Sequence, residues 1–194
     1  RLIVELAEES LPPPTGHDVV VRVEAAPINP SELGLLFGPA DLDNAEYGDG
    51  RIVATMPDGA RRAMAARVGQ AMPVGNEGAG TVVAAGEAAD AQALLGKTIA
   101  CVAGGMFAQY RTVDARSVIE LPDNATAEQG ASAFVNPLTA LGFVETMRRD
   151  GHSAIVHTAA ASNLGQMLLR ITKEDGVPLV NIVRSPTQAT MLKD

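Results

Sequence analysis

Short β-branched apolar runs separated by polar breaks fill the first two-thirds of the chain. Val19-Val20-Val21-Arg22-Val23-Glu24-Ala25 carries the period-two tendency of a strand. Residues 80–86, 98–103 and 108–113 repeat that pattern. Pro12-Pro13-Pro14, Pro27, Pro30, Pro73 and Gly104-Gly105 punctuate these runs closely, so a compact barrel or sandwich is expected. Beyond Leu121-Pro122-Asp123 the period changes. Thr126 can cap a helix whose early Glu128 suits the positive N-terminal end. A second helix is predicted from Pro137 to Arg149, with basic residues in its last turn. Then an apolar strand over 153–158, a helix over 163–173, a strand over 177–183 and a helix over 186–193 follow. Leu164, Met167, Leu168 and Ile171 stand at helical spacing. Strand, helix, strand reads as a βαβ unit with parallel strands.

The expected fold is therefore mixed. A barrel-type domain over 1–121 and connecting helices over 122–150 lead into the first part of an open α/β domain over 151–194. An open α/β sheet normally continues through several more strands, so the chain reads as truncated, the front part of a longer protein.

Composition narrows the function. The 194 residues are 46% hydrophobic and 20% charged, which is the make-up of a folded globular chain. Only 3% are aromatic and none is Trp, so the core must be built from aliphatic residues and Met. The net charge of −8 speaks against nucleic acid or an anionic membrane as the partner. No apolar run reaches the roughly 20 residues of a membrane-spanning helix. The single Cys101 excludes an internal disulfide, fits a reducing cytoplasm, and lies in an apolar run as an inert core thiol. The seven Met read as core filler.

The candidate chemistry lies in the turn of the βαβ unit. Ala159-Ala160-Ala161-Ser162-Asn163-Leu164-Gly165 has the spacing of a dinucleotide-binding glycine motif, with small residues in the first two glycine places. Small residues let backbone N–H groups approach a pyrophosphate, and the helix N-terminus adds its dipole. Ala161, Ser162, Asn163, Leu164 and Gly165 are the cofactor candidates there. Val183 is followed by Arg184, nineteen positions after Gly165, with no carboxylate beside it. A guanidinium at that place suits the 2′-phosphate of NADP(H). A solvated surface arginine is the competing reading.

The chain resembles the medium-chain dehydrogenase/reductase superfamily, in its zinc-free quinone oxidoreductase and enoyl-thioester reductase branches. The stretches that carry the resemblance are residues 26–32, Val74-Gly75-Asn76-Glu77-Gly78, residues 135–140, the turn above and Asn181-Ile182-Val183-Arg184. They fall in the family's order across nearly the whole chain. The resemblance implies a GroES-like catalytic domain followed by a Rossmann cofactor domain, and a homodimer. It places Asn136 and Thr139 at the nicotinamide, although Asn136-Pro137 is also a good helix start. It places Asn29 in the acceptor cleft, although Asn29 is also a turn residue before Pro30. Zinc members of the family carry a Cys where this chain reads Asn29-Pro30 and a His where it has Asn76. His17, His152 and His157 are not at ligand spacing, so no metal is expected. Enoyl-thioester reductases place a tyrosine acid near the position of Gly38-Pro39-Ala40. The nearest phenol, Tyr47, falls in a polar, Gly-rich insert, where it is either that acid or a loop tyrosine. Tyr110 is read as core or rim, and Glu77 as a structural turn residue.

The expected activity is NADPH-dependent hydride transfer to a small uncharged acceptor such as a quinone or enone. A 2-enoyl-thioester reductase and a non-catalytic NADP(H)-sensing relative are the alternatives.

Overall fold

The computed structural model describes residues 1–193. Asp194, the last residue of the expected third segment, lies outside the described residues. The chain divides into two compact units, Arg1–Ala131 and Ser132–Asp194. The division falls inside the segment read from the sequence as connecting helices.

In the first unit, strands β1 (Leu2–Glu5) and β2 (Asp18–Ala25) precede helix α1 (Pro30–Leu36). Next come β3 (Asp41–Gly48), β4 (Arg51–Thr55) and α2 (Asp58–Ala63). They are followed by β5 (Glu77–Ala85), α3 (Ala89–Ala93), β6 (Thr98–Val102), β7 (Tyr110–Asp114), β8 (Val118–Glu120) and α4 (Ala127–Gly130). Five strands form one sheet in the order β7-β2-β5-β6-β8, and every pair in it is antiparallel. The β-branched run of β2 supplies Val19 and Val21 to a core with Val82, Ile99, Met106 and Val113. Gly80 on β5 has no alternative residue. A Cβ there would overlap the carbonyl of Arg22 on β2.

The polar insert is not a loop. Its residues form β3 and β4, which pair with β1 in a three-stranded sheet of order β1-β4-β3. Gly48 faces Arg51 across a two-residue turn. Asp49 and Gly50 both take positive φ, as a type I′ hairpin demands. Strong charge along β3 hides the strand from a hydrophobicity reading, whereas the Asp-Gly pair is the signal that announces it.

In the second unit, α5 (Val135–Arg149) leads to β9 (Ile155–His157), α6 (Asn163–Glu174), β10 (Leu179–Asn181) and α7 (Pro186–Met191). β9 and β10 are parallel, with α6 as the connection, so the βαβ unit is present. Ala140 and Val144 of α5 and Leu168 of α6 form its buried centre, with Ile155 and Leu179 of the strands against them. Helix α5 starts two residues earlier than expected. Phe134 is the N-cap, so Asn136 is not, and Pro137 sits at the third helical position. Proline is tolerated there because its missing N–H falls in the first turn, which has no intrahelical acceptor.

Cys101 is buried, and burial pushes its thiol up from 9.0 to about 11. Met106 is core, but Met72 and Met191 are surface residues, so the Met reading holds only in part. Tyr110 is an exposed strand residue rather than core.

Two outcomes follow from this packing. Gly80→Ala lowers stability by about 2–3 kcal/mol in urea unfolding, because β2 and β5 must separate to admit the methyl group. The native state also keeps the Cys101 proton after the unfolded chain has released it, so stability falls as pH rises from 9 towards about 11. That loss is roughly 2–3 kcal/mol, and the pH-dependence of Cys101→Ala lacks it.

Candidate functional site

Of the cofactor-side candidates, Ala161, Ser162 and Arg184 meet at the C-terminal ends of β9 and β10. A cavity of about 380 Å³ is lined there by Ala160, Ala161, Ser162, Val183, Arg184 and Gln188, among others. The turn leading into α6 is held tightly. The Ser162 N–H donates to the Ala159 carbonyl at 2.9 Å, and the Gly165 N–H donates to the Ser162 hydroxyl at 3.1 Å. Gly165 is buried, and a Cβ on it would overlap the Ala160 carbonyl. The glycine thus lets the helix start fold back on its own turn.

This geometry corrects one detail of the sequence reading. Ser162 cannot offer its backbone N–H to a ligand, because the turn uses it. Ser162 acts instead as the N-cap of α6. The N–H groups of Asn163 and Leu164 belong to the first helical turn, where no intrahelical acceptor exists. They point the positive end of a twelve-residue helix at the turn.

Arg184 stands on the opposite wall. Its backbone N–H donates to the Gln188 side chain at 2.9 Å, and Ser185 caps α7. Its exposed guanidinium makes no ion pair with any described residue. Small side chains on one wall, two free N–H groups and an uncommitted guanidinium fit a dinucleotide that ends in a phosphate.

Asn136 and Thr139 lie on the first turns of α5, three residues apart and so on one face. Asn136 is half-buried and Thr139 exposed. The Thr139 hydroxyl donates to the Val135 carbonyl at 2.6 Å. Its oxygen therefore stays available only as an acceptor.

In the first unit, Asn29 is the N-cap of α1 and is only 7% exposed. Its Nδ2 donates to Glu77 at 3.0 Å. A carboxylate only accepts, so this bond sets which way the Asn29 amide faces. Glu77 is fully buried, and so is Glu32. Glu32 receives the backbone N–H of Asn29 on one oxygen and that of Asn76 on the other, the latter at 2.7 Å. One carboxylate thus ties the start of α1 to the start of β5. The sequence reading passed over Glu32, although its place three residues after Asn29 is capping-box spacing.

Tyr47 is elsewhere. It lies on β3, 64% exposed, and its hydroxyl donates to the Leu42 carbonyl at 2.9 Å. The structure does not bring it together with Asn29. His17 pairs with Asp90 on the surface, and His157 rests against the ring of Phe143. Among the described residues no three His, Cys, Asp or Glu side chains gather into a metal-binding group. No helix among them is long and apolar enough to cross a membrane.

The alcohol dehydrogenase GroES-like domain family matches residues 15–123. The mitochondrial enoyl-[acyl-carrier-protein] reductase of Mus musculus is 27% identical over 194 residues, covering 99% of this chain and 46% of that protein. Prostaglandin reductase-3 of Bos taurus is 32% identical over 124 residues, covering 61% of this chain and 31% of that protein. The chain spans about half the length of the first of these relatives. Among solved structures, a Mesorhizobium loti protein assigned as an NADPH:quinone reductase superposes with a TM-score of 0.69 at 32% identity. That match covers 94% of this chain and 47% of the other. The quinone oxidoreductase of Escherichia coli, solved with NADPH, shares the fold with a TM-score of 0.66 at 19% identity, over 96% of this chain and 50% of the other.

Removing the Glu32 carboxylate leaves one buried and one partly buried N–H group without an acceptor. Glu32→Ala therefore costs about 2–5 kcal/mol in denaturant unfolding. Glu32→Gln, which keeps one acceptor, costs distinctly less.

Proposed function

This chain belongs to the family of the alcohol dehydrogenase GroES-like domain, within the medium-chain dehydrogenase/reductase superfamily, and from that premise we propose that the whole protein is an NADPH-dependent, zinc-independent reductase. The observation that carries the proposal is the shared cavity of the Ser162 turn and Arg184. In this reading the N–H groups of Asn163 and Leu164 receive the pyrophosphate. Arg184 takes the 2′-phosphate through charge-assisted bonds. Asn136 and Thr139 orient the nicotinamide end, as the family resemblance assigns them. When bound, the cofactor supplies a hydride; the chain supplies position and charge.

Asn29 borders the acceptor in this reading, and Glu77 fixes the orientation of its amide. Zinc has no place in the scheme. Asn29 and Asn76 stand where zinc relatives carry ligands, and an amide already bonded to Glu77 is a poor substitute for a thiolate or an imidazole. The acceptor is a quinone or an activated alkene. The exposure of Tyr47 favours the quinone, whose reduction can take its protons from water, over an enoyl thioester that needs a positioned acid. The likeness to the mouse enoyl reductase keeps the thioester as the second reading. The whole protein is further taken to be a cytoplasmic homodimer, in line with the resemblance and the single buried thiol.

Titration of the intact protein with NADPH and NADH, followed by nicotinamide fluorescence, tests the proposal. NADPH binds more tightly than NADH. Arg184→Ala weakens NADPH roughly tenfold to a hundredfold and leaves NADH nearly unchanged. Equal affinity for both, unaltered by the substitution, refutes the assignment of Arg184.

A further inference from the structure

Arg111 is the one arginine of the first unit that is half-buried rather than exposed. It lies on β7 opposite Val21 of β2, and both Val21 and the next-but-one residue Val113 are buried in the core. Strand alternation therefore turns Arg111 to the inner face. There its guanidinium lies close to the loop that carries Gly105. A Cβ on Gly105 would stand 3.0 Å from the Arg111 Cζ and 3.2 Å from its Nη1, and 3.1 Å from the Cβ of Pro73. Gly105 takes a positive φ, and its lack of a side chain is what admits the guanidinium.

This cation is uncompensated. Arg22, Arg116 and Arg148 each pair with a carboxylate on exposed ground. Arg111, though half-buried, makes no ion pair or side-chain hydrogen bond with any described residue. Its Nε is shut off from solvent without an acceptor. The terminal nitrogens, equally without protein partners, are not among the buried unpartnered atoms, so they remain open to solvent. The result is a fork with a buried stem and free prongs. Water can occupy the two open prongs, and an oxyanion that displaces it there gains charge-assisted bonds that no protein carboxylate already supplies.

The surroundings place the fork near the candidate acceptor residues. The loop it rests on is zipped to the start of β5. Met106 N–H donates to the Gly75 carbonyl, and the N–H groups of Ala103 and Gly104 donate to that of Asn76. Asn76 in turn donates to Glu32, which also holds Asn29.

We propose that Arg111 is the receptor for an oxyanion, a carboxylate or a phosphate, carried by the molecule that the first unit binds. Naming that molecule the hydride acceptor rests on the reductase reading above. On that reading the acceptor is anionic, against the expectation of an uncharged one drawn from the absence of a basic cluster. A single preoriented guanidinium needs no cluster, because its two prongs match the two oxygens of the ligand.

Calorimetric titration of the intact protein with benzoate, inorganic phosphate and the neutral isostere benzamide tests this without any turnover. At least one of the two oxyanions binds saturably and benzamide does not. Benzoate alone identifies a carboxylate; phosphate alone identifies a phosphate. Arg111→Gln weakens that binding roughly tenfold or more, and Arg111→Lys, which keeps the charge but loses the fork, weakens it less. Should Arg111→Gln fail to fold, the weakening in Arg111→Lys carries the test. Arg184→Ala separates the two sites. Anion binding that is lost in Arg184→Ala but kept in Arg111→Gln belongs to the cofactor turn and overturns the proposal. So does binding that neither Arg111 variant alters, or no saturable binding of either anion.

Discussion

The cofactor-side unit hangs on one close approach, that of Gly165 to the carbonyl of Ala160. Any side chain at that position would push the start of α6 off its own turn. With glycine there, the turn closes, Ser162 caps the helix, and the first free N–H groups follow directly after the Ser162 that lines the cavity. Arg184 reaches the same cavity only because β10 runs parallel to β9 and ends beside it. The parallel pairing and the glycine thus act together. One sets where the second wall stands, and the other sets how near the first wall can come.

The first unit has a different organising device. Its apolar core is small and nearly free of aromatic side chains, and two carboxylates are buried beside it. Glu32 replaces water for two backbone N–H groups at once, and Glu77 holds the amide of Asn29. Burying a carboxylate is costly without such partners, so each of these contacts is conditional on the other. The network makes the Asn29 loop a fixed element rather than a mobile one. Arg111 is the opposite case, a charge beside the Gly105 loop whose compensation the protein leaves open.

The periodic parts of the fold could be read directly from the residues. The valine run of β2, the helical spacing in α6 and the two parallel strands stand close to where the pattern places them. Local chemistry was legible too, since Thr126 caps α4 as expected, and the structure adds Gln129 as the return partner of the capping box. What escaped the pattern was structure made by polar residues. β3 carries three carboxylates in eight residues, and only the Asp49-Gly50 turn marks it. The burial of Glu32 could not be read from the sequence, because burial of a carboxylate is decided by distant partners, Asn76 among them. Tyr47 lay near the expected acid in sequence, but a strand in a separate sheet carries its side chain to the surface. Ala161, Ser162 and Arg184 came together around one cavity because one supersecondary unit contains them all. Asn29 and Asn136 depend on tertiary context that spacing does not encode.

The most direct measurement is a crystal structure of the intact protein grown with NADPH. The account predicts the 2′-phosphate within hydrogen-bond distance of the Arg184 guanidinium, and the pyrophosphate on the N–H groups of Asn163 and Leu164. A cofactor bound elsewhere, or a 2′-phosphate held by other residues while Arg184 faces solvent, would contradict it.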